Sequence, residues 1–345
     1  MHALEAIPRV RLAHLPTPLE PLDRISNLLG GPRLWIKRDD CTGLSTGGNK
    51  VRKLEFVFAE ALAAGADCVV TAGALQSNHS RQTAAAAARL GLKSHLLLCN
   101  LTGHSHANYL NNGNILLDRL HDAQIHVLDG VGTADVLTYL NDAVAKHTQR
   151  LREQGARPFA IPVGASTPTG ALGYAECARE LVSQARELGL SIDAVVHRSG
   201  SGGTQAGLVA GMAVLDAPIP VLGLGGGATP APLEELVFGM AAQAAALMGA
   251  PTAVKRSAVV TFDPYVVRYG QLTREIIDVV RLFAANEGIL IDPVYTAPAL
   301  VGLISLIRQG RFGSGSNVVF IHTGGTAALP SYADLFAPEF AKGSA

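Results

Sequence analysis

Lys50 closes the turn Ser45-Thr46-Gly47-Gly48-Asn49-Lys50 and opens the helix-like run Val51-Arg52-Lys53-Leu54-Glu55-Phe56. Adjacent glycines let a backbone turn tightly and approach a ligand, and the free amides of a helix start favour an anion. A lysine amine sheltered from water can lose its proton and attack a carbonyl, so Lys50 is the first candidate for chemistry; a solvated charge at a helix start is its plain alternative. The loop Ser199-Gly200-Ser201-Gly202-Gly203-Thr204 follows an apolar run ending at His197 and precedes a helix-like stretch from Gln205. Its amides and hydroxyls suit a phosphate, although a tight connection would read the same way. No Gly-Lys-Ser/Thr occurs and GxGxxG spacing is missing, which argues against a P-loop and a dinucleotide turn.

A third loop, Gln76-Ser77-Asn78-His79, crowds polar groups at a helix start and suits a substrate carboxylate, with ordinary capping by Ser77 or Asn78 as the alternative. No Gly-x-Ser-x-Gly elbow surrounds Ser77, which argues against a hydrolase. Near the end, Asp292-Pro293-Val294-Tyr295-Thr296 and His322-Thr323-Gly324-Gly325-Thr326 place a tyrosine and a glycine turn after apolar runs. Cys99, His104 and His106 lack a further partner for a metal, so no metal ligand is expected.

These loops need a scaffold, and short β-branched runs alternating with alanine- and leucine-rich stretches predict an α/β fold. Strands are expected at 34–37, 68–71, 94–98, 124–128, 159–161, 193–197, 220–223 and 317–322, and helices at 51–64, 78–90, 108–120, 136–154 and 170–188. Gly65 and Gly91 stand where left-handed caps belong. Parallel sheets place ligands beyond the carboxyl ends of their strands, where these loops fall. No linker splits the chain, so a second domain is expected as an insertion.

With 345 residues and 48% hydrophobic content, the chain is long enough for a buried core and two domains. Its 28 basic residues balance 28 acidic ones without a basic block, which excludes an electrostatic nucleic-acid surface and favours a small-molecule partner. No leader pattern and no membrane-length apolar run is present, so a cytoplasmic location without membrane attachment is expected. Cys41, Cys68, Cys99 and Cys177 lack CxxC spacing and are expected as reduced thiols.

From about Pro8 to Leu329 the chain resembles the pyridoxal-phosphate enzymes of the D-cysteine desulfhydrase and 1-aminocyclopropane-1-carboxylate (ACC) deaminase family. The blocks that carry the resemblance are Ile36-Lys37-Arg38-Asp39-Asp40, Gly47-Gly48-Asn49-Lys50, Gln76-Ser77-Asn78-His79, Asn108-Tyr109 with Asn112-Gly113-Asn114, Gly170-Ala171-Leu172-Gly173-Tyr174, the 199–204 loop, Asp292-Pro293-Val294-Tyr295 and His322-Thr323-Gly324-Gly325. It implies pyridoxal-phosphate fold type II, like the tryptophan synthase β chain: two three-layer α/β/α domains with mostly parallel sheets. The large domain would be residues 1–50 and 165–345, the small inserted one 51–164. Lys50 would carry pyridoxal 5'-phosphate as a Schiff base with Asn49 beside it, and Ser199, Gly200, Ser201, Gly202, Gly203 and Thr204 would hold the phosphate. Ser77 and Asn78 would meet the substrate carboxylate, with Gln76, His79, Thr323 and Gly324 around the substrate and Asn78 also near the cofactor hydroxyl. Tyr269 and Tyr295 match two active-site tyrosines, Thr296 lies where the pyridine nitrogen is expected, and Thr323 lies near the cofactor. The family also suggests a homodimer acting on an amino acid.

The ring-opening deaminases are similar to one another in having Glu after this tyrosine and Leu before the Gly-Gly, where this chain has Thr296 and Thr323, which points to sulfur elimination. Residues 40–46 look most similar to the L-cysteate sulfo-lyase branch, so the first expectation is conversion of L-cysteate to pyruvate, sulfite and ammonia. D-cysteine desulfhydrase, releasing sulfide, is the alternative, and Ala72-Gly73-Ala74 looks closer to it. Arg268, Ala165 and Arg198 depart from the family pattern, and Arg268 or Arg198 is a candidate partner for a sulfonate. Retention of Lys50, Ser77, Tyr269 and Tyr295 together argues against a non-catalytic binding protein.

Overall fold

Strands and helices alternate as the pattern predicts, and the computed structural model describes residues 2–129, 135–225 and 230–341. Among the described residues the strands are β1 (Leu19–Pro21), β2 (Arg33–Lys37), β3 (Cys68–Ala74), β4 (Lys93–Cys99), β5 (Gln124–Leu128), β6 (Pro158–Ala160), β7 (Ala194–Arg198), β8 (Val221–Leu224), β9 (Val260–Phe262) and β10 (Asn317–Ile321). They form a six-stranded sheet in the order β1-β2-β10-β7-β8-β9 and a four-stranded sheet in the order β5-β4-β3-β6. Only β1, against β2, runs antiparallel. All seven residues of β3 are buried, as a parallel strand covered on both faces must be.

All eight expected strands are present, and β3 runs on to Ala74. The pattern missed β1 and β9, three-residue edge strands too short to show a period of two. Gly65 and Gly91 have φ of 67° and 73°, as expected of left-handed caps. The expected helix at 108–120 is two helices, Ala107–Asn111 and Asn114–Leu120. Gly113 breaks it at φ 62°, and the Gln76 amide occupies the break, donating to the carbonyls of Tyr109 and Asn112 and accepting from the Asn114 amide.

The helix that Lys50 opens, Lys50–Ala63, is buried on nearly all sides from Val51 to Phe58, because it lies between two cores. Phe56 packs with Ala171, Tyr174 and Leu208 on the side of the larger sheet. Val51, Leu54, Val57 and Phe58 pack with Val69, Ala86 and Ile161 on the side of the smaller one. At Gly173 the neighbouring helix Pro168–Glu187 comes so close that a Cβ would stand 2.2 Å from the Arg52 carbonyl oxygen. Among the described residues no helix is long and apolar enough to cross a membrane.

Candidate active site

The loop before Lys50 is folded against its own chemistry: Ser45 and Thr46 have φ of 46° and 67°, followed by Gly47 at 72° and Gly48 at 128°. A Cβ on Gly47 would lie 2.0 Å from the Asp40 carbonyl oxygen, and one on Gly48 would lie 2.4 Å from Gln82 Nε2, so both positions demand glycine twice over. On one side, Asn49 Nδ2 donates to Thr204 Oγ1 at 3.2 Å, at the first turn of the helix Gly203–Val214. On the other, the Val51 amide donates to Gln82 Oε1 at 2.9 Å on the helix Asn78–Arg89. Arg81, fully buried on that helix, donates to the carbonyls of Ser45 and Gly47. The residues flanking Lys50 are therefore tied to the first turn of one helix and the second turn of another.

Desolvation lowers the Lys50 amine to about 8. The buried His79 imidazole lies 2.8 Å from Thr71 Oγ1, whose proton goes to the Ile161 carbonyl, so His79 Nε2 is the protonated nitrogen. Its Nδ1 is left buried without a partner among the described residues. Desolvation, with the nearby charges of Lys50 and Lys53, keeps this ring neutral.

The 199–204 loop forms a cradle beneath that lysine. Gly202 has φ 80°, and the first-turn amides after it have no acceptor within the helix. Lys53 Nζ, fully buried, reaches among the described residues only neutral oxygens, the Gly164 carbonyl at 3.2 Å and Ser166 Oγ at 3.5 Å, and a Cβ on Gly203 would stand 2.8 Å from it. Burial first, then the charge of Lys50, pushes this ammonium well below its ordinary pKa. A buried amine that an arriving anion would charge, beside open amides, is a fit for a phosphate group, and Lys50 beside it is a fit for an aldehyde, as pyridoxal phosphate requires. The hydroxyls are partly engaged already: Ser199 Oγ donates to Gln205 Oε1 at 2.7 Å, and Ser201 and Ser166 share a bond of 2.7 Å. Gly200 is exposed.

Across the site, Ser77 caps the helix Asn78–Arg89 by accepting from the Ser80 amide at 3.1 Å, which leaves its own proton to donate. Asn78 accepts from Asn114 at 2.9 Å. Tyr269 and Tyr295 join hydroxyls at 2.8 Å with rings edge to face, and burial raises both, Tyr295 to about 12. Thr296 is fully buried, its hydroxyl 2.5 Å from Asp292 Oδ1 and 3.0 Å from the Gly324 carbonyl. The Thr323 carbonyl accepts from the Asn49 amide at 2.9 Å, and a Cβ on Gly324 would stand 2.7 Å from Gly48 Cα. These contacts tie the C-terminal segments to the lysine loop. Arg198 lies half-buried near both tyrosines and donates to the Gly225 carbonyl, whereas Arg268 is exposed; both line a small cavity with Tyr269 and Pro293.

Sequence reasoning missed two groups. One is Lys53, whose only signal was its place one turn after Lys50. The other is a buried network under the lysine loop. Arg52 donates to both oxygens of Asp39 and both of Glu180 at 2.8–2.9 Å, Lys37 donates to Glu180 at 2.8 Å, and Tyr174 donates to Asp39 at 2.6 Å. The Asp39 carbonyl accepts from the Gly48 amide, so the network fixes the glycine turn.

Residues 10–324 match the family described as "Pyridoxal-phosphate dependent enzyme". The chain is 43% identical over 333 residues to D-cysteine desulfhydrases of Salmonella typhi and Salmonella newport (strain SL254), covering 96% of this chain and 98% of each relative. A solved structure described as the ACC deaminase homologue superposes with a TM-score of 0.86 at 35% identity, over 98% of both chains. Diaminopropionate ammonia lyase of Escherichia coli shares the type II fold alone, with a TM-score of 0.67 at 17% identity over 98% of this chain and 90% of that one. Likeness at this level over nearly the whole of both chains makes this chain a pyridoxal-phosphate dependent enzyme, in the family of D-cysteine desulfhydrase and ACC deaminase.

Proposed function

We propose that this enzyme eliminates the sulfur group of D-cysteine, giving pyruvate, sulfide and ammonia. The observation that carries the reading is Lys50, with an amine lowered to about 8, its neighbours tied to the helices Gly203–Val214 and Asn78–Arg89. The relatives carry the desulfhydrase name, which moves L-cysteate, first in the sequence reading, behind D-cysteine. Bound pyridoxal phosphate supplies the electron sink that lets a Cα proton leave. Lys53, the first-turn amides at 203–205 and Asn49 hold its phosphate end in place. The Ser77 proton and the amides opening the helix Asn78–Arg89 orient the substrate carboxylate. The freed Lys50 amine takes the Cα proton. Of the two phenol protons on Tyr269 and Tyr295, one is used between the rings and the other is donated to the departing sulfur.

The test is steady-state turnover of D-cysteine, L-cysteine, L-cysteate and ACC, following pyruvate, sulfide and sulfite. Highest kcat/KM on D-cysteine with stoichiometric sulfide supports the reading. Sulfite from L-cysteate at higher kcat/KM replaces it, and no turnover of any of the four by cofactor-loaded protein sinks it. The reading also includes a small domain at 51–164, a homodimer and a cytoplasmic location, checked by limited proteolysis, sedimentation and cell fractionation.

A further inference from the structure

Three histidines from three elements meet on the face of the four-stranded sheet covered by the helix Val136–Glu153. Alternation along β4 puts His95, Leu97 and Cys99 on one face, and pairing of Leu97 with His126 brings the β5 histidine to the same face. The helix lays Leu140, Val144, His147 and Leu151 over it, at spacings of four, three and four. His95 is the third residue of β4 and pairs with Val70, four residues before the end of β3, which the loop carrying Gln76 and Ser77 follows.

The ring nitrogens point at one another. His95 Nδ1 is 3.4 Å from His126 Nε2 and 3.2 Å from His147 Nε2, and one nitrogen from each ring falls within 4.8 Å of the other two. A tetrahedral zinc with nitrogens at about 2.05 Å separates them by about 3.3 Å, so these two edges already have the length that a metal would impose. His95 is buried and the other two are half-buried, which leaves an approach from solvent. With no carboxylate in the set, hard ions such as Mg2+ and Ca2+ are disfavoured and borderline ions are selected.

We propose that His95, His126 and His147 form a three-imidazole site for a divalent borderline transition ion such as Zn2+, which clips the helix Val136–Glu153 to β4 and β5. The sequence hides the site because its ligands lie 31 and 21 residues apart, without a short-spaced motif. The contrasting arrangement is a hydrogen-bonded trio, with both Nε2–H groups donating to His95 Nδ1.

The test uses the full-length, cofactor-loaded protein after chelator treatment, titrated with Co2+ alone. Binding of one ion per chain with tetrahedral d–d bands, its displacement by Zn2+ and a rise in thermal midpoint with Zn2+ are expected. His147→Asn and His126→Gln should each weaken Co2+ binding at least about tenfold while leaving kcat/KM for the amino-acid substrate unchanged. Equal Co2+ binding by wild type and both variants overturns the proposal. A crystal soaked in Zn2+ tests it without any variant: anomalous density between the three rings supports the site, and density only elsewhere or none overturns it. Neither metal readout depends on which amino acid is the substrate.

Discussion

At pH 7 an amine with a pKa of about 8 is neutral in roughly one molecule in ten, against about four in ten thousand for an ordinary lysine. Burial alone thus prepares Lys50 for attack on an aldehyde. The rate at which added pyridoxal phosphate forms a visible absorbance band with the apoenzyme should rise about tenfold per pH unit below 8 and level off above it, because only the deprotonated amine attacks. A rate still climbing in that way at pH 10 would contradict the lowered pKa. Lys53 faces the cradle with, among the described residues, only neutral oxygens around its amine. Lys53→Met should weaken cofactor binding about 10- to 100-fold in an absorbance titration, the scale of a charged hydrogen bond in a buried site. A glycine turn beside a lysine was legible as a reactive place. That Lys53 turns its ammonium toward Gly203 was not, since the direction of a helix face depends on what packs against it.

Single elements position these residues through their ends. Ser77 holds the start of the helix Asn78–Arg89 and was expected either as a cap or as a carboxylate ligand; as an acceptor from Ser80 it keeps its proton for the second task. Ser77→Ala should cost about 1 kcal/mol in urea unfolding. If the hydroxyl also meets substrate, kcat/KM should fall by more than tenfold in the same variant, and a stability loss alone would leave Ser77 as a cap only. Strands buried on both faces, such as β3, were legible as apolar runs. The break between Ala107–Asn111 and Asn114–Leu120 was not, because the Gln76 side chain that fills it comes from a loop 33 to 38 residues earlier.

For the molecule as a whole, the buried network joins the strand before the lysine loop to the helix Pro168–Glu187, so the loop rests on a partner more than 120 residues away. Arg52→Met removes the ion-pair partner of buried Asp39 and leaves Glu180 with Lys37 alone, and should cost about 3–5 kcal/mol. Burial pushes both carboxyls up, and Arg52 and Lys37 more than reverse this, so both end below the ordinary carboxylate range. Groups depressed in this way stabilise the fold above their unfolded pKa and release that stability as pH falls through the folded one. The urea midpoint should therefore hold steady above about pH 5 and fall below about pH 4, with a shallower fall in Asp39→Asn. The α/β alternation and the lysine on its glycine turn could be read from the chain alone, because periodicity, glycine and helix-start chemistry act over a few residues. Folding alone brings Arg52 and Lys37 onto two buried carboxylates, turns Lys53 toward Gly203, and makes three histidines from β4, β5 and a helix converge. Burial and charge pairing are set by segments that meet only after the chain has folded.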